Sequence, residues 1–306
     1  MLFQSIVINM STKIKETFSE RVFHALIVVF LICFGLIMLI PMLYIFSTAF
    51  SPTSAVARYG MVMLPLYGLD FSTVGIMLES SSGIVRAYGN TILITIGGTS
   101  LGLLCTAMLG YVISKQHLPG VKIYKASLIF TMLFGGGLIP SYIVVKWLGL
   151  IDTYWGMILP GLVSTYNTML IMRYFESIPP SMEESAKIDG AHDLQIFFRI
   201  YVPVSIPILI TIGVFLFDGY WNSWFTPFMY VNDEKMLPVQ CILRQITQTS
   251  RFSDLVSGYH ATEVAAKPNT QLQCSVIVVT VLPLIIIFPF MQKYFVKGIM
   301  LGAVKE

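Results

Sequence analysis

Charged side chains are scarce. Only 11% of the 306 residues are Asp, Glu, Lys or Arg, against about 25% in an ordinary soluble domain. With 56% hydrophobic residues and a mean hydropathy of +0.77, that scarcity excludes a water-soluble globular enzyme and a disordered chain. No strong charge excess is present either: 19 basic and 16 acidic residues leave a net +3, which excludes a nucleic-acid-coating protein. Cysteine is sparse as well. Cys33, Cys105, Cys241 and Cys274 lie far apart, form no CxxC pair and have no His at ligand spacing, so they read as small apolar filler. His24, His117, His192 and His260 occupy four different segments without HExxH or similar spacing, so no metal site is expected. The sequence has neither a GxSxG elbow nor a GxxxxGK[ST] phosphate loop, so no nucleophile, no bound cofactor and no ATP hydrolysis are expected on this chain.

What remains is apolar sequence in long runs. A helix needs about 20 apolar residues to cross a bilayer core. Six charge-free windows reach that scale: Val22 to Ala57, Ala87 to Ser114, Ala126 to Val145, Thr153 to Met172, Ile200 to Phe217 and Pro268 to Gln292. They predict an all-α integral membrane protein with six transmembrane helices. With both termini in the cytoplasm, 12 Lys and Arg fall inside and 7 outside, the bias expected for that orientation in a multi-pass plasma-membrane protein. The first window is much longer than a signal-peptide core, so an uncleaved helix is expected. The Gly135-Gly136-Gly137 and Pro140 run in the third window reads as a helix-packing feature with a kink. The Met61 to Leu69 stretch suggests a segment on the membrane surface.

Between the fourth and fifth windows the polarity rises sharply. Pro179-Pro180 stops what precedes, Ser181-Met182-Glu183-Glu184 fits an S-x-x-E capping box, and Gly190 is placed to end a short amphipathic helix from Met182 to about Asp189. A surface helix with solvated charges would satisfy this pattern. Glu184-Ser185-Ala186, three residues, Gly190, nine residues, then Ile200-Tyr201-Val202-Pro203 also resembles the EAA-x3-G-x9-I-x-L-P signature of bacterial ABC importer permeases. Ser185 and Val202 are mild departures from it.

The resemblance covers nearly the whole chain. Asn90-Thr91, Leu150 to Gly156, Ile178-Pro179-Pro180, Ile188 to Ala191 and Tyr220-Trp221-Asn222 resemble the carbohydrate importers related to the maltose permease. Tyr294 to Lys305 looks like the LplC/YtcP-like branch of oligosaccharide permeases. The resemblance implies a type I importer permease fold with a cytoplasmic EAA coupling helix. It further implies a second, non-identical permease subunit, two ATP-binding subunits carrying ATP and Mg, and an extracellular, lipid-anchored solute-binding protein that delivers an oligosaccharide. On that basis the chain divides into a cytoplasmic segment 1–22, a permease domain 23–298 with an EAA loop 174–203 and an external loop 231–268, and a cytoplasmic tail 299–306.

Three sets of residues follow from this. Met182, Glu184, Ser185, Ala186, Asp189, Gly190 and Ala191 are the coupling candidates. Asp218, Tyr220, Trp221, Asn222 and Trp224, with Tyr88 and Asn90, are candidates for the substrate path, because aromatic faces stack on sugar rings and polar groups fix hydroxyls. The first five equally fit an interfacial aromatic belt, and Asn90 a helix cap. Arg244, Gln248, Arg251 and Tyr259 are the binding-protein docking candidates. A permease for a peptide or amino acid shares the EAA loop. An ion-coupled transporter would need intramembrane carboxylates, and only Asp218 sits near a span. A membrane enzyme would need a paired acid and base, and no spacing suggests one.

Overall fold

The computed structural model describes residues 17–64, 67–79, 83–115, 117–249 and 266–303, with side chains of the last helix described as far as residue 289. Among the described residues every regular element is helical. The long elements are α1 (Phe18–Ala49), α4 (Gly83–Ser114) and α15 (Asn269–Ala303), preceded or joined by the short α2 (Thr53–Tyr59) and α3 (Ser72–Leu78). The middle of the chain holds α5 (Val121–Leu133), α6 (Leu138–Trp147), α7 (Tyr154–Ile158), α8 (Thr165–Glu176), α9 (Pro180–Ile188) and α10 (Asp193–Ile196). After a π turn (Phe197–Tyr201) come α11 (Val202–Val204), α12 (Ile206–Trp221), α13 (Phe225–Tyr230) and α14 (Val239–Thr249).

Six charge-free windows do not become six straight rods. Three helices, Phe18–Ala49, Gly83–Ser114 and Asn269–Pro289, are long and apolar enough to cross a membrane, and two bent pairs raise the count among the described residues to at most five. The third window breaks: α5 stops at Leu133, α6 restarts at Leu138, and the two diverge by 116°. Within this chain the glycine run packs against nothing, since a Cβ at Gly135 or Gly136 would meet no described atom within 4 Å. Gly137, at φ +85°, supplies the turn instead. The fourth window also divides, into α7, a 3₁₀ turn over Leu159–Gly161 and α8, because Pro160 removes a donor and Ser164 recaps the chain by accepting from Asn167 N at 3.4 Å. The fifth bends by 86° between Val204 and Ile206, where a π turn runs into Pro203 and Pro207, two recognised causes of sharp kinks. The Met61 to Leu69 stretch forms no helix over its described residues.

α4 is the central beam. Gly98, Gly102 and Gly110 fall on one side of it, and there its neighbours approach closely. A Cβ at Gly98 would lie 2.6 Å from Cζ of Tyr220, and one at Gly110 2.8 Å from Cγ2 of Ile171. Small residues at four-residue spacing let apolar helices pack by contact when lipid offers no hydrophobic drive. Towards its Ser114 end, Ala107 and Tyr111 pack with Ile171 and Phe175 of α8 and with Ile208 and Ile212 of α12. Towards its Gly83 end, Ile84 and Ala87 pack with Met77, Ile242, Ile246 and Val276. α14 is amphipathic: Val239, Ile242 and Ile246 face that cluster, and Gln240, Arg244 and Gln248 occupy the other side. Among the described residues, the buried contacts of α1 lie near its end, where Ala49 meets Cys274 and Val278.

Candidate functional site

The two ends of α4 gather almost all the candidate residues. At the Ser114 end, α9 runs Pro180–Ile188 with Pro179 at its N-cap, so Ser181 lies inside the first turn and does not cap it. Proline at N1 is pre-organised for the helix and needs no donor, which moves the start forward from Met182. Gly190 ends the helix at φ +82°. Ala191 N donates to Ala186 O at 2.9 Å and Gly190 N to Lys187 O at 3.1 Å, the paired bonds of a Schellman stop. His192 then caps α10, accepting from Gln195 N at 3.4 Å.

One face of α9 is locked to α4. Lys115, just beyond the end of α4, donates from Nζ to the Glu183 carboxylate and to the Tyr201 hydroxyl at 3.1 Å. Tyr201 in turn donates to Glu183 Oε2 at 2.9 Å, and Lys187 Nζ lies 2.8 Å from Oε1. The ammonium of Lys115 also sits 4.2 Å from the ring centre of Tyr111 and 4.4 Å from that of Tyr201, an aromatic cage that favours a cation. Burial alone would raise the Glu183 pKa, but the bonds from Lys115, Lys187 and Tyr201 outweigh it and hold it at about 2. The opposite face is open. Met182, Glu184, Ser185 and Asp189 are exposed, and Ile188 is 86% exposed. Ala186 and Ala191 pack partly into the cluster beneath.

At the Gly83 end, Asn90 lies inside α4 and caps nothing. Its amide donates to Lys235 O at 2.8 Å and Leu237 O at 3.1 Å and accepts from the Tyr154 hydroxyl at 2.9 Å. It ties the 235–237 turn to α4 and α7. Tyr88 donates to Val279 O of α15, and Tyr220 donates to Ile158 O at 3.0 Å with its ring over Gly98. Trp221 is buried and stacks on Phe217 at 5.7 Å. Asn90, Tyr88 and Tyr220 thus tie elements together within this chain, and Trp221 packs along its own helix.

The remaining candidates form one open strip. Asn222 Nδ2 donates to Asp218 Oδ1 at 2.9 Å, and Gln240 Nε2 donates to Asn222 Oδ1 at 3.2 Å. Arg244 sits over the Trp224 ring, its guanidinium carbon 3.3 Å from the ring centre, and its Nε donates to Gln248 Oε1 at 3.3 Å. Cys241, on the packed side of α14, donates from Sγ to Trp224 O at 3.2 Å and fixes that turn. Path and docking candidates are thus neighbours on a single surface. Arg251 and Tyr259 lie outside the described residues. No group of His, Cys, Asp or Glu that could hold a metal occurs among the described residues.

No family model matches the chain. Individual proteins do. It is 36% identical over 292 residues to the polygalacturonan/rhamnogalacturonan transport system permease protein YtcP of Bacillus subtilis strain 168, covering 94% of this chain and 99% of that one. It is 37% identical to protein LplC of the same organism, covering 95% and 97%. Among solved structures, a chain of a bacterial ABC transporter for import of the acidic polysaccharide alginate superposes with a TM-score of 0.82 at 32% identity, covering 92% of this chain and 99% of that one. The chain belongs to the sugar and oligosaccharide permeases of ABC transporters.

In this permease the most constrained side chains were not the ones the EAA signature nominates. Glu183 figures in the sequence only within the capping box and Tyr201 only at a variable position of the signature, which points at Glu184 one residue on, while Lys115 and Tyr111 belong to no motif. A signal was present: Glu183, Ala186 and Lys187 share a helix face at i, i+3 and i+4. Lys115 stands at the end of a charge-free run, the only basic residue between Arg86 and Lys122. Relatives of this kind are permease subunits, with ATP hydrolysis in separate subunits.

Proposed function

We propose that this permease forms half of the path for an inwardly moving oligosaccharide and couples it to ATP hydrolysis through α9. In this reading the Ser114 end of α4 is cytoplasmic, with both termini on that side. A second, non-identical permease chain completes the path, and two ATP-binding subunits carry ATP and Mg. An extracellular binding protein docks on the 231–268 loop at the other end. Support for the sugar comes from the relatives: one is named for polygalacturonan and rhamnogalacturonan, and the solved neighbour imports alginate. Support for a binding protein comes from a second solved chain, from an alginate transporter in complex with a periplasmic protein bound to an alginate pentasaccharide. That chain shares only the fold, at a TM-score of 0.53 and 16% identity.

The observation that carries the coupling role is the two-faced build of α9. Its inward face is pinned through Glu183 to Lys115 and Tyr201, so a push on the helix reaches α4 and the π turn before α12. Its outward face leaves Met182, Ser185 and Ile188 open, an apolar edge flanked by the carboxylates of Glu184 and Asp189 and suited to a groove on a partner. In proteoliposomes carrying the whole transporter, Gly190→Asp and Glu184→Lys are expected to leave the complex assembled and hydrolysing ATP while oligosaccharide uptake is lost. Normal uptake by both variants overturns the coupling role.

A further inference from the structure

A row of polar side chains runs from the end of α12 onto α14. Nearby, Asn90, Thr91, Tyr88 and Tyr220 each bond main-chain atoms, Asn90 accepting from the Tyr154 hydroxyl as well. Along Asp218, Asn222, Gln240, Arg244 and Gln248 the polar groups bond one another, side chain to side chain, on an open surface. The two rows follow helix periodicity. Asp218 and Asn222 are one turn apart on α12, and Gln240, Arg244 and Gln248 are successive turns of α14, so polar groups recur about every 6 Å, the scale of one sugar ring.

Arg244 gives this row its chemistry. A cation–π contact with Trp224 holds the guanidinium without using its hydrogen-bond donors, and the bond to Gln248 uses one of five. A planar fork of donors matches a carboxylate in two parallel bonds. Trp224 and Phe228, whose ring centre lies 5.8 Å from the guanidinium, supply the apolar surface beside it. Asp218 keeps its negative charge, but it stands at the far end of the bonded row from Arg244, beyond Asn222 and Gln240. We infer that this strip is a binding site for a uronate-bearing oligosaccharide, with the sugar carboxylate held by Arg244 on its Trp224 platform and the ring hydroxyls by Asn222, Gln240 and Gln248. The inference rests on the oligosaccharide reading above and sharpens it to a charged sugar and a named cation.

The test is direct binding, separate from uptake. Purified transporter, containing both permeases and the ATP-binding subunits but no binding protein, is titrated with oligogalacturonate and with its methyl ester while tryptophan fluorescence is followed. Wild type is expected to bind oligogalacturonate with an affinity that falls as salt rises. Arg244→Gln should weaken that binding at least tenfold and change ester binding less than twofold. Arg244→Lys, which keeps the charge and loses the fork, should fall between. Trp224→Ala should weaken both sugars. Unchanged oligogalacturonate affinity in Arg244→Gln overturns the site, as does no binding by wild type. Equal loss for acid and ester, or a complex that no longer assembles, overturns it as well, because Arg244 would then be pairing with a neighbouring subunit. The oligosaccharide reading falls by a different result, the absence of sugar uptake by the complete wild-type system.

Discussion

The two ends of α4 handle charge in opposite ways. At the Ser114 end, Lys115, Glu183, Lys187 and Tyr201 close on one another, and the bonds made there are spent inside the chain. At the Gly83 end, Asp218, Asn222, Gln240 and Arg244 form a line along an open face. A closed cluster transmits force, since none of its members can move alone. An open line offers its groups to something that arrives and leaves. For a transporter the first arrangement belongs where motion enters, and the second where cargo passes. Each end holds both signs of charge, and topology decides the use.

The comparison breaks most sharply at Lys115. Removing one partner of a buried pair costs about 3–5 kcal/mol when nothing else compensates. Lys187 and Tyr201 remain with Glu183, so Lys115→Ala should cost about 2–3 kcal/mol. Its effect is read from the midpoint of SDS unfolding of the assembled complex. The equivalent change at the open end, Arg244→Ala, should cost under about 1 kcal/mol, as for an exposed charge. Equal losses at the two ends would abolish the contrast. The closed end should also carry a pH signature. Glu183 has a pKa lowered from 4.5 to about 2, so its stabilisation is fully present above the unfolded value. It is lost as pH falls from 4.5 towards 2. Lys115→Ala should flatten that acid limb, and an unchanged limb would show that the carboxylate is held low by other partners.

These contrasts also measure what the sequence could reveal. The helical membrane class follows from where charge is missing, and the ABC permease signature from the spacing between Glu184 and Pro203, because both are local properties of the chain; the sugar branch rests on resemblance along the whole chain. The bends were harder. Gly135 to Gly137 and Pro140 were visible as breakers, but whether a breaker is absorbed by packing or opens into a turn depends on what surrounds it, and at Gly135 and Gly136 no described atom of this chain lies within 4 Å of a built Cβ. Of the candidate residues, Arg244 and Asn222 were found one at a time and assigned to separate tasks. They come together through the Gln240 to Asn222 bond, which brings the start of α14 to the end of α12 and which no spacing encodes. Glu183 stayed hidden for a similar reason: its partners, Lys115 and Tyr201, lie on other elements.

A smaller effect is expected where both ends share a support. Gly98 faces the Tyr220 ring, and an added Cβ would sit 2.6 Å from it. Gly98→Val forces α4 and α12 apart and should cost about 1–3 kcal/mol, as over-packing commonly does. If α4 is a rigid beam, the damage should spread. Unfolding midpoints should drop, and both uptake and ATP-coupled turnover should fall together. Loss of one with the other intact would show that the two ends work independently of the beam between them.

The smallest change separates conformation from contact. Gly190 holds a left-handed φ of +82° with nothing within 4 Å of a built Cβ. Within this chain Gly190→Ala therefore pays only the left-handed penalty, about 1–2 kcal/mol at one residue. The unfolding midpoint of the isolated permease pair should shift by that amount and no more. Uptake supplies the second reading. If the backbone at Gly190 lies against an ATP-binding subunit, the added methyl meets that subunit, and uptake per assembled complex falls by far more than the stability shift explains. If uptake tracks stability, the turn is merely a helix stop, and the contact that drives transport must be sought on the exposed face of Met182, Ser185 and Ile188 instead.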